Sequence, residues 1–256
     1  MPVLGFKLLS ETSLFDVPIE LLFGYLISEI WVYLITFLVA RKVFSIDVRE
    51  AFLLGLTTAL TNHVLFILPI SEILIGRSAN LPMVAIISMD GMLILSGAII
   101  AMDIMTAKDQ GWRSTAIKIT TNPPILGMLS GLLYGLSGLP VAPNVGIFLS
   151  NISATASPVL IFALGVILSG HPVRPTKKIT VVSIIKLFGL PLTVSLFLTL
   201  GERPILWNDL LLLNAAGPAG AMAFALAMLY KVKTDTIAPV IIWTSLLTLI
   251  SLAWLA

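Results

Sequence analysis

The chain contains no cysteine, so disulfides, thiolate nucleophiles and sulfur metal ligands are excluded, and its redox compartment stays open. Histidine occurs only twice, at His63 and His171, too few for a His-based metal centre; neither a metal nor a cofactor is expected. Charge is scarce, at 11% of residues against about 25% in soluble domains. A net charge of +2 offers no basic surface for nucleic acid. The opening "MPVLGFKLLSET" lacks the basic head and apolar core of a cleavable signal peptide. What is present is apolar: 58% of the 256 residues are hydrophobic and the mean hydropathy is +1.06. One aqueous fold cannot hide that much apolar surface, so the chain reads as a membrane protein with several spans.

Eight stretches are long and apolar enough to cross a bilayer: 17–40, 51–75, 81–105, 120–140, 145–169, 179–200, 205–230 and 236–256. "PVLGFKLL" reads as the tail of a ninth. Such continuous runs suit helices rather than barrel strands. Arg41, Lys42, Arg49, Lys108, Arg113, Lys118, Arg174, Lys177, Lys178, Lys231 and Lys233 fall on one face, against Lys7, Arg77 and Arg203 on the other. Basic residues gather on the cytoplasmic side, so the C-terminus is expected outside. Trp112 and Trp207 are placed at opposite interfaces as belt residues.

Two spans carry polar interruptions. In "TNHVLFILPI", Pro69 removes a helix donor and crowds the carbonyl four residues earlier, with Asn62 and His63 just upstream. Either a proline kink with a locally bonded Asn or a broken helix accounts for it. "LLLNAAGPAGAMAFALAMLY" repeats the theme with Asn214, Gly217, Pro218 and Gly220. Transporters built from inverted repeats set discontinuous helices at matching positions of two halves, and half-helix N-termini attract anions. The breaks lie five spans apart, an odd number, which inverts one copy relative to the other. Ten spans would complete the pair, so either an N-terminally incomplete chain or a genuinely shortened relative is expected. The expected fold is an all-α membrane protein of inverted five-helix repeats, a single transmembrane domain with an incomplete first repeat over 1–105 and the second over 106–256.

At these residues the chain resembles the auxin efflux carrier family, in its bacterial form, over nearly its whole length. The Asn62-to-Pro69 spacing matches the family pattern. "TNPPILGMLSGLLYGLSGLPVAP" resembles the opening of the second repeat, "SPVLIFALGVILSG" the span after it, and Lys186 with Pro191, then Pro218 with "LAMLY", continue the order. Val64 and Ile67 stand where bacterial relatives often have glycine, and His63 is outside the pattern. The resemblance implies ten helices, of which the first and most of the second are lacking here, and helices crossing at Pro69 and Pro218. It also implies transport of organic anions such as auxin-like acids, malonate or malate, a homodimer in the bacterial inner membrane, and an elevator-like movement. Asn62, Pro69, Asn122, Ser157, Asn214 and Pro218 are the expected substrate contacts.

Ionisable residues within spans are costly and carry a functional and a structural reading each. Glu29 could couple a proton to transport or bond Lys186 or a backbone gap. Lys186 could neutralise a carboxylate substrate or pair with an acid. Asp90 and His63 divide in the same way between proton handling and helix packing, whereas Asp103 and Glu72 lie near span ends within reach of water. Asn122 before Pro123 is also ordinary N-cap chemistry, and Ser157 before Pro158 ordinary packing. A rival reading takes "GLSG", with Ser137, as an intramembrane serine protease motif, but Ser137 needs a histidine base within reach. A third takes the chain as a non-transporting fragment. Because no native thiol competes, Lys233→Cys should react with a membrane-impermeant maleimide only from the cytoplasmic side; labelling of intact cells from outside would reverse the orientation.

Overall fold

The computed structural model describes residues 2–12, 17–76, 81–106, 112–171, 174–200 and 205–255; Arg77, Lys108 and Arg203 of the charge pattern lie outside them. The described residues are helical apart from turns and one isolated bridge. Among the described residues, four helical stretches, Ile19–Lys42, Leu81–Thr106, Pro143–Ser169 and Lys177–Leu198, are long and apolar enough to cross a membrane. The chain packs as two compact units, residues 1–17 with 80–162 and residues 18–79 with 163–256. Each unit takes segments from both sequence halves.

Unit 1 holds α1 (Pro2–Ser10), α5 (Leu81–Met89), a π turn (Asp90–Ile94), α6 (Leu95–Thr106), α7 (Trp112–Thr120), α8 (Pro123–Leu136) and most of α9 (Pro143–Ser169). Glycine recurs every four residues on α8, at Gly127, Gly131 and Gly135, which puts three glycines on one face. That face receives the backbone of α1: a Cβ on Gly127 would strike Pro2, and one on Gly131 would strike Phe6. Leu9, Val84 and Met128 form the adjoining core. Asp103 was expected at water, yet it is buried, because Lys118 donates to it at 2.6 Å and Thr115 at 2.7 Å. The short helix α7 supplies both partners, a feature the span pattern did not contain.

Unit 2 holds α2 (Ile19–Lys42), α3 (Val48–Ala59), a π turn (His63–Ile67), α4 (Leu68–Leu74), the end of α9, α10 (Lys177–Ile184), a π turn (Ile185–Gly189), α11 (Leu190–Leu198), α12 (Ile205–Ala215), α13 (Met222–Leu229) and α14 (Ile237–Leu255). α2 packs against α3 and α11, α3 against α13, and α10 against α14. Thr58 donates to Thr36 at 2.7 Å between α3 and α2. Asp47 caps α3 by accepting from Arg49 N–H at 3.0 Å. Desolvation works against its charge, but that N–H and the Arg49 guanidinium prevail and hold its carboxyl below the usual range. Trp207 is buried rather than set in an interfacial belt, whereas Trp112 is exposed.

Since α1 lies with its backbone on the glycine face, Gly131→Val should overpack the contact and cost about 1–3 kcal/mol. Gly97→Ala, where a Cβ meets nothing within 4 Å, is the control and should leave the melting temperature in detergent unchanged or slightly raised.

Candidate functional site

Proline cannot donate to the carbonyl four residues back and pushes against it. At Pro69 the chain answers with a π turn: the N–H of Leu68 reaches back five residues to the His63 carbonyl. The same register recurs where the π turn Ile185–Gly189 leads into Leu190 and Pro191. A third π turn has no proline; there Leu95 N–H bonds the Asp90 carbonyl, and the Met128 side chain packs over Gly91. Each turn carries one buried ionisable residue: His63, Lys186 and Asp90. Such turns concentrate at functional sites.

Both interrupted spans of unit 2 are broken, and they cross at their breaks. α3 ends at Ala59 and the helix resumes at His63, while α12 ends at Ala215 and α13 begins at Met222. Between these ends Thr61 and Ala219 form an antiparallel bridge. Asn62 N–H donates to the Pro218 carbonyl at 2.9 Å, and Gly220 N–H donates to the Leu60 carbonyl at 2.9 Å. Ala219 N–H donates to Thr244 Oγ1 at 3.1 Å. Three N–H groups at the breaks are therefore spent inside the crossing rather than left bare. Unpaired backbone in hydrocarbon costs several kcal/mol, and mutual pairing removes that cost. Gly217 and Gly220 permit the approach, since a Cβ at 217 would meet Thr61 and Ile67 and one at 220 would lie 3.0 Å from Leu60.

Side chains converge on the same place. Lys186, fully buried, donates to Thr61 Oγ1 at 2.7 Å. His63 Nδ1 donates to Asn214 Oδ1 at 2.8 Å, and Asn214 Nδ2 donates to the Tyr25 hydroxyl at 2.7 Å. A Glu29 carboxylate oxygen lies within 4.8 Å of a His63 ring nitrogen. Asn62 is only 8% exposed, and its side-chain amide has no hydrogen-bond partner among the described residues. α13 begins without a side-chain cap. The arrangement thus offers an anion a buried amide, an ammonium and a half-helix N-terminus.

Of the residues singled out in the sequence, Asn62, His63, Lys186, Asn214 and Pro218 come together here, with Glu29 beside His63 and Pro69 closing the π turn. Asn122, Ser157 and Asp90 belong to unit 1. Asn122 caps α8, accepting from Ile125 N–H at 3.4 Å, and Ser157 lies within α9 just before Pro158. Thr61, Tyr25 and Thr244 were missed. Thr61 adjoins Asn62, and Tyr25 precedes Glu29 by one helical turn, so both lay within reach of pattern reasoning; Thr244 carried no such signal.

The protease reading gains nothing from the structure. Ser137 Oγ donates to the Tyr134 carbonyl at 2.6 Å. Both histidines are engaged elsewhere, His63 with Asn214 and His171 with Thr234 and the Ile167 carbonyl.

Comparison with known families gives a match to one described as membrane transport protein, over residues 111–255, more than half of the chain. Nothing among curated proteins matches.

Hydrogen bonds to a charged group are worth about 1.5–3 kcal/mol, so Thr61→Val should lower stability by that order. Adding Lys186→Met removes the ammonium that has lost its Thr61 acceptor and should recover part of the loss, measured by thermal denaturation in detergent. Simple additivity of the two losses would separate Lys186 from Thr61.

Proposed function

This chain belongs to the membrane transport protein family, that of the auxin efflux carriers, and from that premise we propose that it is a secondary carrier of small organic anions. The substrates proposed are carboxylates such as malonate, malate or auxin-like acids, moved by alternating access. The observation that carries the reading is the open amide of Asn62 beside the Lys186–Thr61 pair, at a helix crossing whose backbone is already satisfied.

The Asn62 amide N–H can donate to a carboxylate, and the Lys186 ammonium supplies the opposite charge, in surroundings where an uncompensated anion would be costly. Pro69 and Pro218 keep the two helical ladders interrupted, and Asn214 holds His63 rather than the substrate. Asn122 and Ser157 take no part in this reading. The proposed setting is a bacterial inner membrane, with the C-terminus outside and a homodimer as the assembled form; the one-sided distribution of basic residues supports the orientation.

Equilibrium binding to the reconstituted protein, with malonate, malate and indole-acetate as probes, tests the site. Asn62→Ala should weaken binding of the recognised acid at least tenfold, the value of about one charge-assisted hydrogen bond. Asn214→Ala should act less directly, through loss of the His63 brace. Unchanged affinity in both variants would refute the site.

A further inference from the structure

His63 is the ionisable residue at the crossing that neither the helix break nor the family pattern requires. Its Nδ1 bonds Asn214 Oδ1. An amide oxygen only accepts, so Nδ1 keeps its proton in both charge states of the ring, and Nε2 is the nitrogen that gains or loses one. Asn214 is in turn bonded to Tyr25, which fixes the amide that fixes the ring.

The charged and titratable groups around His63 can be named element by element. α2 contributes Glu29, within 4.8 Å, and Tyr25, reached through Asn214. The π turn after α10 brings the Lys186 ammonium to Thr61, two residues before His63. α4 carries Glu72, nine residues further on, and α3 carries Arg49 and Glu50 at its far end. α12 has Asp209, exposed and five residues before Asn214, whereas α13 and α14 contain no charged residue. Asp90, a buried aspartate of the π turn after α5, belongs to unit 1.

Resting on the carrier reading above, we infer that His63 is the proton-binding site of a proton–anion symporter. Nε2 takes a proton from the aqueous phase when the carboxylate enters and returns it when the carboxylate leaves. The N–H bond is the only bond formed and broken. Imidazole ordinarily changes charge between about pH 5 and 8, and the imidazolium adds positive charge where the anion must be buried. A monocarboxylate then crosses with no net charge and a dicarboxylate with one negative charge. By linkage, proton and anion raise each other's affinity by the same factor.

Malonate and indole-acetate binding to the reconstituted protein, at pH values above the acids' own titration, tests the assignment, with proton uptake followed by a pH indicator in weak buffer. In the unmodified protein the dissociation constant should rise about tenfold per pH unit once His63 is deprotonated, with close to one proton taken up per anion at high pH. His63→Gln keeps a donor for Asn214 and should bind with a flat pH dependence and no proton uptake, an outcome that loss of a merely structural brace does not give. A flat profile in the unmodified protein, or an unaltered slope in His63→Gln, overturns the inference. If Glu29→Gln flattens the profile and His63→Gln does not, the proton resides on Glu29 and His63 is a brace. Binding of neither acid at any pH would instead remove the carrier reading, and this inference with it.

Discussion

Backbone satisfaction inside hydrocarbon governs this structure. A helix that stops in mid-membrane strands the donors and acceptors of its ends, and no water is at hand to take them. Unit 2 contains two interrupted helices, and each answers the other: Leu60 and Asn62 of one pair with Gly220 and Pro218 of the other. Neither break is tolerable alone. The glycines at 217 and 220 fit this, because a Cβ at 217 would overlap the Thr61 and Ile67 side chains and one at 220 would press on Leu60 at 3.0 Å.

Pairing the backbone has a consequence for recognition. Amides that bond one another are unavailable to a ligand, so binding falls to side chains and to the first turns of the half-helices. The two halves then differ despite their similar sequence theme. Asn62 leaves its amide open, whereas Asn214 divides its amide between His63 and Tyr25. One Asn is available to a ligand; the other braces an imidazole.

Much of this was legible in the sequence because it rests on local rules. Apolar run length gave the all-helical membrane class, and Asn, Gly and Pro inside apolar runs marked the breaks near 61 and 217. The pairing between those breaks joins residues 62 with 218, 61 with 219 and 60 with 220, far apart in the chain, which periodicity cannot relate. Asp103 was misread for the same reason: its position near a span end said water, but Lys118 and Thr115 on α7 reach back to bury it. Trp207 was likewise assigned to an interface by position, while packing buries it. The π turns were half visible, since the prolines at 69 and 191 announce a disturbed ladder but not the five-residue reach that repairs it.

The polar bonds of unit 2 also constrain how the site can move. Tyr25 of α2, Thr61 beyond α3, Lys186 in the turn after α10, Asn214 of α12 and Thr244 of α14 are all tied at the crossing. Opening any one tie would remove a buried hydrogen bond, worth about 0.5–1.5 kcal/mol for a neutral pair and about 1.5–3 kcal/mol where the Lys186 ammonium donates. Opening several at once would exceed what a small ligand returns on binding. Motion that preserves every tie costs none of this. Under the alternating access proposed above, a displacement of the helices that carry an intact crossing is therefore cheaper than an unpicking of the crossing itself.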